Sequence, residues 1–487
     1  MQLKKSALFC AAAFAAMAAG SAHAALSGAH KTMVDNANTN GRVLFISGAS
    51  AVQKGFGTIA ASMLNSPVRF TDISTKSTKD YEAYAGTLKA AAGTWAAGSN
   101  VIIIYRVEGG SVYGVDSVAR ADVIKSLNVT SDACGISGQD GTSVPYTCTN
   151  DTRTPDAGVS DVAPKYFKYP YNTEGETAAA QLSATELARF TGAGKIAPLY
   201  GLAFGIAATN ALGDVNLSRA KIAAIFGGNV TNWSDVDETG AESGPIVVCR
   251  RVPGSGTQAV FNMWAGNFPC GTFNVPADRS KSGSIWNSAT KTYTIPAALN
   301  QLVVVENSTS SDVRTCLDKA QVGGTYTTKD RSGNTVNVNF QGSGGHKAVG
   351  TLSLDSLSSA KSPGNWQFRS LDGAGKYYWN STSGAVSTTG TGKFPTKETY
   401  ENGDWDLQGW VTLNIPARTA GNAKRALLDQ FVAKAQDPAV LQGITDLKNV
   451  AMAIPGGDYE GDQVLTAEYV NGDQCAPFVR SYPKLPL

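Results

Sequence analysis

The feature that most limits how this chain can fold is a recurring unit: an apolar run, a turn of glycine and hydroxyl residues, then an amphipathic pattern. GRVLFISGASAVQKGFGTIAASML, residues 41–64, reads as a buried strand, a Gly/Ser turn and a helix with Ala, Ile and Leu on one face. NVIIIYRVEGGSVYGVDSVARADVIKSL, residues 100–127, repeats the arrangement with EGGS as its turn. DAGVSDVAP (156–164) is a short strand ending in polar residues, and LYGLAFGIAATNAL (199–212) holds one or two strands. LSRAKIAAIFGGNVTNWSDV (217–236) is helical as far as Phe226, where Gly227 and Gly228 end it. PIVVCRRVPGSGTQAVF (245–261) is again strand, glycine turn and helix. This alternation implies a mixed α/β architecture, in which strand-end turns are the usual ligand positions.

The opening MQLKKSALFCAAAFAAMAAGSAHA has two lysines, an Ala-rich apolar stretch and Ala22-His23-Ala24, the pattern of a secretory signal peptide over residues 1–24. Cys10 lies behind Phe9 within the apolar part, so export without a lipid anchor is expected. No later stretch is long and apolar enough to span a membrane. Without Lys4 and Lys5 the 41 basic residues become 39, against 39 acidic ones, and this neutral balance gives no support to binding nucleic acid or anionic lipid. Six cysteines remain, at 134, 148, 249, 270, 316 and 475, which in an exported chain suggests up to three disulfides. Their pairing is left open, with Cys134 and Cys148 favoured because they bound one short polar loop.

The roughly 460 residues after the signal are too many for one simple core and imply two or more domains. Residues 116–155 and 270–345 read as polar insertions, the second containing a hairpin in TYTTKDRSGNTVNVNF. NSTSGAVSTTGTGKFPTK (380–397) reads as a flexible or decorated loop, and AKRALLDQFVAKAQDPAVLQGI as amphipathic helix broken at Pro438. With only His30 and His346 after the signal, a histidine-rich metal centre is not expected. Neither a GxSxG elbow nor a GxxxxGK[ST] loop is present, so the sequence indicates no enzyme, metal or cofactor.

Three turns share one chemistry. GASA (48–51), EGGS (108–111) and RVPGSGT (251–257) each place glycine and a hydroxyl residue between strand and helix, and DAGVSD adds Asp161 at a strand end. Helix amino ends carry free N–H groups and partial positive charge, so such turns can hold an anion. Each also has a plainer reading: Ser255 or Thr257 as a helix N-cap, and Asp161 as a cap or as a structural partner of Arg251.

Together, SGASA, VEGGSVYG, DAGVSDVAP, LSRAKIAAIFGGNVTNWSDV, RVPGSGTQAVF and, more weakly, KAVGTLSLDSL resemble the periplasmic phosphate-binding proteins of the high-affinity phosphate ABC transporter. The resemblance covers most of the chain in scattered blocks and is strongest where Arg251 stands four residues before Ser255-Gly256-Thr257. It implies a two-lobed α/β fold of the periplasmic-binding-protein (Venus-flytrap) type, here with inserted polar loops and a β-hairpin. The lobes implied are residues 25–200 with 360–487, and residues 201–359. Carried over residue by residue, it makes Ser50 and the Ala51 amide, Ser111, Asp161, Arg251, Ser255, Gly256 and Thr257 the phosphate shell, with Arg250 a structural or surface neighbour. Glu108 lies close to that shell, and Ala51 stands where the family has a large apolar residue.

Asp161 sets the selectivity in this picture. A carboxylate repels an anion unless the ligand donates a proton, which phosphate does near neutral pH and sulfate does not, a difference of at least ~1–3 kcal/mol. The implied role is a periplasmic, monomeric, non-enzymatic receptor that presents phosphate to a membrane ABC permease and does not itself enter the membrane. Three other readings stand beside it: a receptor for another oxyanion or an organic phosphate; a secreted or surface adhesion or assembly protein with a vestigial pocket; and, weakest, a phosphate-ester hydrolase, which would need a metal cluster or an activated nucleophile.

Overall fold

The computed structural model describes residues 26–75, 77–135, 138–168, 182–190, 196–271, 276–419, 422–447, 451–452, 466–469, 475 and 478–481. The signal segment, 1–24, lies outside them. The strands and helices that position the site are β1 (Val43–Gly48), α1 (Gln53–Ser62), β2 (Leu64–Asp72), β3 (Ser77–Leu88), β4 (Asn100–Arg106), β5 (Ala157–Ser160) and β6 (Ile196–Thr209). They continue with β7 (Val247–Arg251), α2 (Gly256–Gly266), β8 (Val303–Asn307), α3 (Ser310–Val322), β9 (Gly324–Lys329), β10 (Thr335–Phe340), β11 (Ala348–Ser353) and β12 (Gln408–Asn414).

A single hydrogen-bonded path runs β8-β7-β11-β6-β12-β5-β1-β4-β3-β2. β1 pairs in parallel with β4 and β5, and β7 in parallel with β8 and β11. Such strands are covered on both faces, which is why VLFISG, VVCRR and VVVEN are buried throughout rather than alternating. The carboxyl ends of β1, β4 and β5 therefore point the same way in one half, and those of β7 and β8 in the other.

β6 joins the halves. Its residues Ile196–Ala203 pair with β12, while Phe204–Ala208 pair with β11. The apolar stretch that suggested one or two strands is thus one long strand. The strand Trp366–Arg369 also adds to the carboxyl half of β6, and carries the Lys376–Asn380 and Ala385–Thr389 hairpin with it. The supposed loop at 380–397 is therefore partly strand, its Gly and Ser residues forming the hairpin turn.

The region 270–345 is only partly an insertion. Val303–Asn307 is a main-sheet strand and Ser310–Val322 the helix following it, because VVVEN is apolar enough to be buried although its neighbours are polar. What stands apart is a sheet of four strands, ordered Trp286–Asn287, Thr292–Ile295, β10, β9, and it contains the expected hairpin. In the 116–155 region, Ile124–Leu127 pairs with Asn150–Arg153, so the helix after EGGS is short, Asp116–Arg120.

Three disulfides are formed: Cys134–Cys148, Cys249–Cys316 and Cys270–Cys475. The large core includes the buried Trp233, Trp264, Trp366 and Trp405. Trp233 donates its indole N–H to the Lys347 carbonyl at 2.9 Å and so anchors the NWSD turn as a structural element. No helix among the described residues is long and apolar enough to cross a membrane.

Candidate functional site

Five strand ends meet at the middle of the molecule. From β1 comes the tight turn Ser50–Val52 leading into α1, from β4 the turn Ser111–Gly114, and from β5 Asp161. β7 contributes Arg251 with the Ser255 cap of α2, and β8 contributes Ser308 to Ser310 at the start of α3. Four of these were expected from the sequence. The fifth was not.

Every expected site residue is buried, none more than 6% exposed among Ser50, Ala51, Ser111, Asp161, Arg251, Ser255 and Thr257. The Arg251 guanidinium donates from Nη1 to the Ser50 hydroxyl at 2.9 Å and to the Ser310 hydroxyl at 3.2 Å. Its Nη2 donates to the Ser308 carbonyl at 2.6 Å, and Nε is shared between the carbonyls of Asn307 and Ser308. The fork is thus clamped on one side by backbone and on the other by two hydroxyls. Thr257 donates its hydroxyl to Asp161 Oδ2 at 3.0 Å, and the Asp161 amide donates to Ser111 Oγ at 3.3 Å. Ser255 accepts from the Gln258 amide at 3.3 Å, so it is an N-cap as well as a site hydroxyl. Ala51 sits in the turn after Ser50, fully enclosed.

Two glycines allow this closeness. A Cβ on Gly256 would lie 2.2 Å from Ser111 Oγ and 2.9 Å from Asp161 Cβ, so α2 can begin against the opposite half only without a side chain there. Gly110 has a φ of +85°, and a Cβ on it would meet Ser255 Cα at 3.1 Å and Arg251 Nη2 at 3.2 Å. Gly256→Ala is therefore expected to destabilise the protein by roughly 1–3 kcal/mol through overpacking. Urea unfolding measures it, and an unchanged midpoint would mean that the two halves do not approach as closely as these distances require.

Burial pushes the Asp161 carboxyl up to about 6, against the opposing pull of the Thr257 hydrogen bonds and the Arg251 charge. Burial also lowers Arg251, to about 10, partly offset by Asp161 and Asp312, so the guanidinium stays charged at neutral pH. Asp161 Oδ1 has no hydrogen-bond partner among the described residues. An unpaired, buried carboxylate oxygen is costly, and a group that brings a donor would satisfy it.

Glu108, close to the anion shell in sequence, turns away from it. It pairs with Lys329 of β9 and accepts the Tyr81 hydroxyl. Burial alone would raise its carboxyl, but Arg106 and Lys329, with the hydrogen bonds from Lys329 and Tyr81, outweigh burial and hold it below the usual range. Arg250 is a structural neighbour rather than a surface one: it is 1% exposed and donates to the carbonyls of Ala277 and Arg251. The residues missed were Asn307, Ser308 and Ser310. Their signal was present in VVVENSTSSDV, a buried strand followed by Thr309 and Asp312 spaced as a capping box, which the structure forms.

Among the described residues no group of three or more His, Cys, Asp or Glu is placed to hold a metal ion. What the arrangement offers is hydroxyls, helix amino ends, one guanidinium and one carboxylate, the equipment for binding a small oxyanion. The fold is mixed α/β, and residues 177–351 match the family model described as PBP superfamily domain. The chain is also similar to solved phosphate-binding proteins. The ancestral soluble variant of the human phosphate-binding protein shares 16% identity at a TM-score of 0.42, over 85% of this chain and 90% of that one. An ABC-type phosphate transport receptor from Vibrio cholerae shares 12% at 0.38, over 82% and 98%. A phosphate-binding protein from Stenotrophomonas maltophilia shares 13% at 0.38, over 81% and 84%. At such scores the likeness assigns no ligand and places no residue. No curated protein matches the sequence.

Proposed function

We propose that this chain is an exported solute-binding protein that captures inorganic phosphate outside the cytoplasmic membrane and presents it to an ABC-type permease. The observation that carries the ligand assignment is Asp161 Oδ1, a buried acceptor without a partner, in the same cluster as Arg251, Ser50, Ser111 and Thr257. Guanidinium and hydroxyls attract an oxyanion, while the carboxylate rejects one that has no proton to donate. Hydrogen phosphate meets both demands, and sulfate meets only the first.

The shell in this proposal is Ser50, the Ala51 amide, Ser111, Asp161, Arg251, Ser255, Gly256 and Thr257. The lobes close on the ligand by hinge motion, with the crossing in β6, whose amino part pairs with β12 and whose carboxyl part pairs with β11. The first lobe then holds roughly residues 25–200 and the chain's C-terminal part, and the second roughly 201–359. Trp366–Thr389 goes with the second lobe, because it pairs to the carboxyl half of β6. The signal-like segment supports export, and the three disulfides suit an oxidising compartment.

The test is calorimetric titration of unfolded, dialysed and refolded protein with phosphate and with sulfate, for the unaltered chain and for Asp161→Asn. Phosphate is expected to bind and sulfate not to bind, and Asp161→Asn is expected to narrow the preference by at least about ten-fold. Equal affinity for both anions in the unaltered chain would exclude the role given to Asp161. Refolded protein that binds neither would end the phosphate reading.

A further inference from the structure

The hydroxyl pair beside Arg251 carries more protons than it has acceptors for. Ser50 Oγ accepts from Arg251 Nη1 at 2.9 Å and from the Ser310 amide at 3.2 Å, which occupies both its lone pairs. Ser310 Oγ accepts from Arg251 Nη1 at 3.2 Å and lies 3.2 Å from Ser50 Oγ, so one lone pair remains there for the Ser50 proton. The cluster therefore has two hydroxyl protons and one acceptor position. One proton is left over, on a residue that is only 3% exposed. Meanwhile Asp161 Oδ1, also buried, is an acceptor left without a donor. The site thus has one unmatched donor and one unmatched acceptor.

We propose that Ser310 is a further ligand of the bound oxyanion, donating its hydroxyl proton to a phosphate oxygen beside Arg251. This rests on the phosphate reading and adds a fifth strand-end turn to its shell. Hydrogen phosphate accepts from the Ser310 side and donates to Asp161, so it completes both groups at once. Ser310 is held for this role from two directions. Thr309 and Asp312 form a reciprocal cap that fixes the amino end of α3, and Thr328 of β9 holds both the Ser308 amide at 2.9 Å and Asp312 Oδ2 at 3.0 Å. The amino end of this 13-residue helix adds partial positive charge where the ligand's negative charge would lie.

The experiment is titration of the refolded chain with inorganic phosphate for the unaltered protein, Ser310→Ala, Ser310→Thr and the neighbouring Ser311→Ala, each with its thermal unfolding midpoint. Ser310→Ala is expected to weaken phosphate binding roughly ten- to hundred-fold, as for loss of a hydrogen bond to a charged group. Ser310→Thr, which keeps the hydroxyl, should stay within about three-fold of the unaltered chain, and Ser311→Ala should be unchanged. If Ser310→Ala does not fold, Ser310→Cys, which has nearly the same volume and a weak donor, has the same expected loss. Unaltered affinity in Ser310→Ala overturns the assignment while leaving the phosphate reading intact, and so does a loss in Ser310→Thr equal to that in Ser310→Ala. Failure of the unaltered chain to bind phosphate overturns both.

Discussion

Replacing Arg251 by alanine is expected to remove the greater part of phosphate affinity, by roughly two to four orders of magnitude. The size follows from where the charge is. Arg251 is 1% exposed, so its interaction with an anion is not screened by water, and one Nη2 hydrogen is left for a ligand oxygen once the contacts to Ser50, Ser310, Asn307 and Ser308 are made. Its Nη1 donors are held by the hydroxyls of Ser50 and Ser310, of which Ser310 has a proton left for a ligand, whereas its backbone contacts to Ser308 and Asn307 keep the guanidinium in place. Arg251→Lys keeps the charge but cannot replace all the contacts to Asn307, Ser308, Ser50 and Ser310, so it should restore only part of the affinity. Because the alanine variant also leaves the Ser308 and Asn307 carbonyls without this donor, unfolding midpoints must accompany the titration. Phosphate bound by a folded Arg251→Ala protein as tightly as by the unaltered chain would place the ligand elsewhere.

The second large effect concerns stability. Cys249 lies in β7 two residues before Arg251, and Cys316 lies in α3, 67 positions further along the chain, with both side chains buried. Their disulfide ties the strand that carries the guanidinium to the helix whose amino end faces it. Closing a loop of this length restricts the unfolded chain by about 4 kcal/mol in the chain-entropy account. The double variant Cys249→Ala, Cys316→Ala is expected to lose roughly 3–5 kcal/mol in denaturant unfolding, some of it through the lost sulfur packing. A loss below about 1 kcal/mol would mean that this bond contributes little to holding the two elements together.

Much of the candidate site is legible in the sequence, because the signals are local. GASA, EGGS, DAGVSD and RVPGSGT combine a buried strand with the glycines and hydroxyl residues that a strand-to-helix turn requires, all within a few positions. The same locality made the hairpin of TYTTKDRSGNTVNVNF and the helix break at Pro438 readable. The NSTSSD turn has the same grammar, yet it lies in a polar stretch of hairpin strands and loops. Its strand is only five residues long, too short to stand out from the polar sequence around it.

By itself, then, the sequence determined the α/β class, most of the strand-end turns, and the residue types able to surround an oxyanion, since each depends on short-range periodicity or turn chemistry. Tertiary structure decided the rest. It made Ser310 a neighbour of Ser50 across 260 positions, turned Glu108 toward Lys329 across 221, and paired Cys249 with Cys316 and Cys270 with Cys475. It also buried Arg250 in the second half rather than leaving it at the surface. None of these pairings leaves a local pattern, because each is selected by which strand ends the parallel sheet brings together and by the need of every buried charge and hydroxyl for a partner.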